Sequence, residues 1–337
     1  MKLSFFFLIA IVFSLFGCKN DLPEPVNPST ETPYQTTPLT IPTPKDFPEM
    51  IIPEENPLTL EGVSLGRMLY YDKIMDKDSS RACASCHLQD QAFQIDNGTN
   101  QVVPHMNMGW SNNFMWSGGF TGTLEDVMTF EVEVFFETNL DRLNNSDKYR
   151  DLFKKAFNVD TITSKEAAYA LAQFARIMTT SNSKYDQFAR QELNLTPEEM
   201  RGFMLFFTEK ADCFHCHGSG LFTDNTPRNN GLDLLPDSGL MAITKDPNDL
   251  GKFKAPTLRN IEHTAPYMHD GRFNTLKEVL DFYATGVQHN PTIDALMIYS
   301  ADGGNKLTET EKEEVIAFLK TLSDPDFLTN SELSNPF

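Results

Sequence analysis

Four of the chain's five cysteines fall in two copies of one pattern, Cys83-Ala-Ser-Cys86-His87 and Cys213-Phe-His-Cys216-His217. In each, two thiols three residues apart are followed at once by an imidazole. Such a pair could close a disulfide, hold zinc, or bond covalently to the two vinyl groups of a haem while the adjacent imidazole reaches the iron. A His directly after the second Cys favours the last reading. Two covalent c-type haems are therefore expected, with His87 and His217 as iron ligands. The fifth cysteine, Cys18, stands apart from both motifs.

Composition and charge bound the rest. A chain of 337 residues with 40% hydrophobic residues can build a sizeable core. The net charge of −19 argues against nucleic acid, whose phosphates it would repel, and suits a body that attracts cationic partners. The N-terminus has a basic start at Lys2, an apolar run from Leu3 to Phe16, and Leu15-Phe16-Gly17-Cys18, which resembles a bacterial lipobox. The run is short for a membrane span. It predicts an exported protein on the periplasmic side, held to the membrane by a lipid on Cys18, with an ordinary cleaved signal peptide as the alternative. A Pro-, Thr- and Glu-rich stretch to about Lys45 reads as a tether.

The elements that must position the two motifs read as helices. Gly66-Arg67-Met68-Leu69-Tyr70-Tyr71 precedes the first motif and Gly202-Phe203-Met204-Leu205-Phe206-Phe207 the second, an internal repeat whose first linker is six residues longer. Capping boxes at Thr163…Glu166, Thr196…Glu199, Thr275…Glu278 and Thr308…Glu311 predict four helix starts. The third of these helices carries Leu276, Val279, Leu280 and Tyr283 on one face, while residues 218–252 read as loop. The expected fold is mostly α, two cytochrome c-like haem domains in tandem. The expected segments are a signal peptide at 1–18, a tether at 19–45, an N-terminal haem domain at 46–190 and a C-terminal haem domain at 191–337.

The chain resembles the bacterial diheme cytochrome c peroxidase and MauG family over roughly residues 50–325. The segments that carry the resemblance are Leu65–Asp72, Cys83–His87, Phe114-Met115-Trp116, Cys213–His217, Lys254–Ile261 and Ala265–Gly271. It implies a peroxide-binding first haem, an electron-entry second haem, and Trp116 between them. It implies hydrogen peroxide as substrate, a small cytochrome c or cupredoxin as electron donor, and leaves room for a homodimer. The family's distal Glu, an acid–base group, matches Glu137 best, with Glu131 and Glu133 as rivals. Its distal-pocket Gln falls at Val127. The loop after the first motif has no His before His105, so an open first haem is expected, with His105 in a structural or hydrogen-bonding role and a switchable ligand as the alternative. Where the peroxidases carry a Met ligand, fourteen residues after His269, this chain has Tyr283, the ligand type of MauG-like members; Met297 and Met268 are the alternatives. A calcium ion between the haems is a weaker implication, since Val102-Val103 replace the family's Arg-Asn; Thr264 and Pro266 could offer it carbonyls. An oxidase using peroxide on a protein or organic substrate, and a non-catalytic diheme electron carrier, are the competing functions.

Overall fold

Threonine side chains start the helices that matter here. Thr59 accepts a hydrogen bond from the Gly62 amide, and reciprocal boxes close at Thr163/Glu166, Thr196/Glu199, Thr275/Glu278 and Thr308/Glu311, the four positions the sequence predicts. Pro197 takes the first turn after Thr196, where its missing amide hydrogen costs nothing. The computed structural model describes residues 34–95 and 102–337; the targeting segment, Cys18 and most of the tether lie outside the described residues. The helices run α1 (Leu60–Tyr71), α2 (Leu124–Phe130), α3 (Leu140–Asn144), α4 (Asp147–Phe157), α5 (Ser164–Ile177), α6 (Lys184–Ala189), α7 (Pro197–Phe206), α8 (Phe214–His217), α9 (Met241–Thr244), α10 (Leu276–Thr285), α11 (Glu309–Lys320) and α12 (Pro325–Thr329). Two antiparallel pairs of two-residue strands complete the fold: β1 (Asn113–Phe114) with β2 (Phe120–Thr121), and β3 (Pro227–Arg228) with β4 (Phe253–Lys254).

The repeat seen in the sequence is a repeat in packing. At Gly66, where α1 crosses α5, a Cβ would sit 1.9 Å from the Ala170 carbonyl oxygen and 2.9 Å from the Phe174 Cβ. At Gly202, where α7 crosses α11, it would sit 1.8 Å from the Glu314 carbonyl oxygen and 2.9 Å from the Phe318 Cβ. Only a residue without a side chain lets two helix backbones approach so closely. Four residues on, Tyr70 and Phe206 fill the cores below these crossings. Two hydrophobic clusters result, one built on α1, α2, α4 and α5, the other on α7, α10 and α11.

The chain does not divide cleanly between them. Tyr185 and Phe188 of α6, which the sequence reading puts in the first half, pack against the second cluster. The C-terminal tail returns to the first, where Phe327 and Leu333 are buried. Arg67 donates to the carbonyls of Ser334 (2.7 Å) and Ser331 (2.5 Å), the Tyr71 hydroxyl donates to that of Leu333 (2.7 Å), and Gln89 donates to that of Asn330 (2.8 Å).

Candidate functional site

Each Cys-x-x-Cys-His motif winds into one tight turn that brings its three side chains together. The amides of Cys86 and His87 both donate to the Cys83 carbonyl (3.1 Å each), and those of Cys216 and His217 to the Cys213 carbonyl (3.4 and 3.1 Å). None of the four cysteines is in a disulfide. The two imidazoles are then oriented alike: His87 Nδ1 lies 2.8 Å from the Phe93 carbonyl oxygen, and His217 Nδ1 lies 2.9 Å from that of Phe222. A carbonyl can only accept, so Nδ1 carries the proton and the Nε2 lone pair is left for a metal. Both carbonyls come from residues held in the left-handed region, Phe93 at φ 58° and Phe222 at φ 52°. Burial keeps both rings neutral, drawing His87 down to about 4 and His217 below its ordinary value. Burial likewise raises the Cys213 thiol to about 12 and Cys216 to about 11.

These features fit two covalently bound haems. Beside the second motif lies a cavity of about 220 Å³, lined by Cys213, Cys216, His217, Trp116, Met268 and Tyr283. All three candidate sixth ligands, Tyr283, Met268 and Met297, line it. The Asn230 amide donates to the Tyr283 hydroxyl at 3.1 Å and lies 3.7 Å from the Met268 sulfur. Trp116 reaches this cavity from the first half of the chain, and its carbonyl accepts from the Lys254 amide of β4 at 2.8 Å. Gln94 ties the halves together again, donating to the Thr264 carbonyl at 2.7 Å. That bond occupies part of one carbonyl expected to hold calcium. Among the described residues, Glu209, Asp212 and His215 are the one group of three His, Cys, Asp or Glu side chains whose ligand atoms lie close enough to share a metal.

The three carboxylates after Trp116 have different surroundings. Glu137 is exposed and ion-paired with Lys77 at the surface, in the left-handed region at φ 46°. Glu133 is exposed and accepts from the Ser164 hydroxyl at 2.5 Å. Glu131 is the most enclosed of the three: burial pushes its carboxyl up to about 7, Arg81 opposing, and its charge is felt at Cys83 of the first motif. It begins a π-helical turn, Glu131–Phe135, that continues α2. His105 stacks face to face on His87, ring centres 3.4 Å apart, with Nδ1 3.2 Å from the Tyr70 hydroxyl. Stacked beside His87 and within reach of the Tyr70 hydroxyl, His105 is placed to serve in a hydrogen-bonding role. Val127, at the family's Gln position, is buried in the first cluster.

The family model for di-haem cytochrome c peroxidase matches residues 60–194. The methylamine utilization protein MauG of Methylophilus methylotrophus is 31% identical over 292 residues, 80% of this chain and 84% of that protein. The cytochrome c551 peroxidase of Nitrosomonas europaea is 27% identical over 80% of this chain and 83% of its own length. Among solved structures, a MauG-like protein associated with microbial copper homeostasis superposes with a TM-score of 0.81 at 31% identity, covering 88% of this chain and 99% of that one. With two Cys-x-x-Cys-His turns, twin imidazoles set for iron and a tryptophan at the cavity of the second, the chain belongs to the di-haem cytochrome c peroxidase and MauG family of oxidoreductases.

Proposed function

We propose that the protein reduces hydrogen peroxide to water at the haem attached to Cys83 and Cys86, with electrons delivered by a small redox protein through the haem attached to Cys213 and Cys216. The observation that carries this reading is the imidazole geometry built twice in one compact unit, with Trp116 at the cavity of the second site. The same crossing glycines and the same His–carbonyl pairs support two cytochrome c-like units in tandem. The reaction takes two electrons and two protons per peroxide and yields two waters. The bound haems supply the iron and the electron storage. The chain's own residues would hold the irons through His87 and His217, keep His105 stacked beside His87 rather than in the place of peroxide, and offer Trp116, at the second cavity, as a route for electrons between the sites. A carboxylate must move a proton from one peroxide oxygen to the other. Burial favours Glu131 over Glu137 for that task, because a carboxyl near 7 can both take and give a proton at neutral pH.

Carboxamide substitution tests this assignment. Glu131→Gln should keep two haems and slow peroxide turnover by roughly 10²–10⁴-fold, the usual worth of a positioned acid–base group. Glu137→Gln should turn over near the unaltered rate. The reverse pattern restores Glu137 to the role. A second reading, an oxidase that uses peroxide to oxidise a protein or organic substrate, is favoured by Tyr283, whose hydroxyl is held by Asn230 at the second cavity. Steady oxidation of a reduced small cytochrome by peroxide selects the peroxidase; its absence, with peroxide still consumed, selects the oxidase. The N-terminal segment adds export and a lipid anchor at Cys18 to the proposal.

A further inference from the structure

Four cationic side chains are buried among the described residues: Arg176, Arg259, Lys312 and Lys254. Three are answered by carboxylates. Arg176 meets Glu125 at 2.5 and 2.8 Å, Arg259 meets Asp186 at 2.8 and 2.9 Å, and Lys312 meets Asp281 at 2.5 Å and Glu309 at 2.6 Å. Lys254 is 8% exposed, and among the described residues no carboxylate pairs with it. Burial brings its ammonium down to about 8, and its positive charge is felt at the neighbouring His105. Leaving a charge in a low-dielectric site without a partner is costly, so a missing anion is the natural expectation.

The position of Lys254 says where that anion comes from. Its backbone is fixed twice, by pairing opposite Pro227 in β3 and by the amide bond to the Trp116 carbonyl. Its side chain lines the 220 Å³ cavity that also receives Cys213, Cys216 and His217. The two carboxylates on that cavity wall are already engaged, Asp212 with His215 and Asp294 with Arg228. The group whose residues line this space, a c-type haem, brings two propionate carboxylates of its own. We infer that Lys254 is the countercharge of a propionate on the haem held by Cys213, Cys216 and His217, a positioning residue that fixes that haem's charge balance beside Trp116.

The inference rests on the second haem, and the haem count by pyridine haemochrome checks that separately from the role of Lys254. The test is a spectroelectrochemical titration of the holoprotein. Lys254→Met removes the positive charge at similar length. With two haems per chain, it should lower the midpoint potential of the second haem and make it fall with rising pH through the neutral range, as the uncompensated propionate titrates. Lys254→Arg keeps the charge and should keep the unaltered midpoint, a result that a purely packing role for the side chain does not require. A two-haem Lys254→Met protein with unaltered midpoint and pH profile overturns the inference. A readout without substitution covers a variant that fails to load haem. In the unaltered holoprotein a paired ammonium stays charged, so the second midpoint should be flat between about pH 7 and 9. An unpaired ammonium, titrating near 8, would bend the profile there, and that bend overturns the inference.

Discussion

One amide, Asn230 Nδ2, stands within reach of both the Tyr283 hydroxyl and the Met268 sulfur. The choice between a phenol and a thioether at the second iron is thus made inside one small polar cluster. Tyr283→Phe removes the oxygen and leaves the ring in place. In the holoprotein it should change the spin state or axial signature of the second haem in the resting electron paramagnetic resonance spectrum. Met268→Ala and Met297→Ala should leave that spectrum as it is. An unchanged spectrum in Tyr283→Phe, with loss of a His/Met signature in one Met variant, assigns the thioether instead. Glu131 offers a second observable at this scale. Its carboxyl lies near 7, so the rate of peroxide consumption should bend near that pH and lose the bend in Glu131→Gln.

Among the elements, the crossings at Gly66 and Gly202 carry the sharpest expectation. An added methyl would meet backbone, Ala170 or Glu314, rather than a side chain that can turn away. Gly202→Ala should therefore force α7 from α11 and cost about 1–3 kcal/mol, the usual range for overpacking, read as a lower thermal midpoint with both haems still attached. Gly66→Ala should behave alike at α1 and α5. Much at this scale is legible in the sequence. The four capping boxes mark α5, α7, α10 and α11, because each start depends on two residues three apart. The two haem motifs and the Tyr283 face are legible for the same reason. What escapes is whatever depends on a distant partner. Three carboxylates follow Trp116 within the reach of the count, and only the tertiary fold distinguishes Glu137 at the surface from the more enclosed Glu131. The carbonyls of Phe93 and Phe222 that orient the histidines lie on left-handed residues that no local pattern announces. Lys254 reads as an ordinary charge until the tertiary fold encloses it.

For the whole molecule, the C-terminal tail links the end of the chain to its first haem site. Deleting residues 331–337 removes the bonds from Arg67 to Ser331 and Ser334, the bond from Tyr71 to Leu333, and the burial of Leu333, which is 1% exposed. Burying one leucine is worth about 1.5–3 kcal/mol and each hydrogen bond about 1 kcal/mol. Hydrogen exchange of the truncated holoprotein should speed up in α1 and around Gln89, and stay slow in α7 and α11. Uniform acceleration would mean that the tail stabilises the unit as a whole. A ribosome delivers Cys83 and Cys86 long before it delivers Leu333, yet the hydrophobic cluster against which Cys83 packs is completed by Leu333. The site made first is therefore sealed last. Until the tail is in place the Cys83–His87 turn lacks part of its cover, whereas the second motif is covered by α10 and α11, which precede the tail.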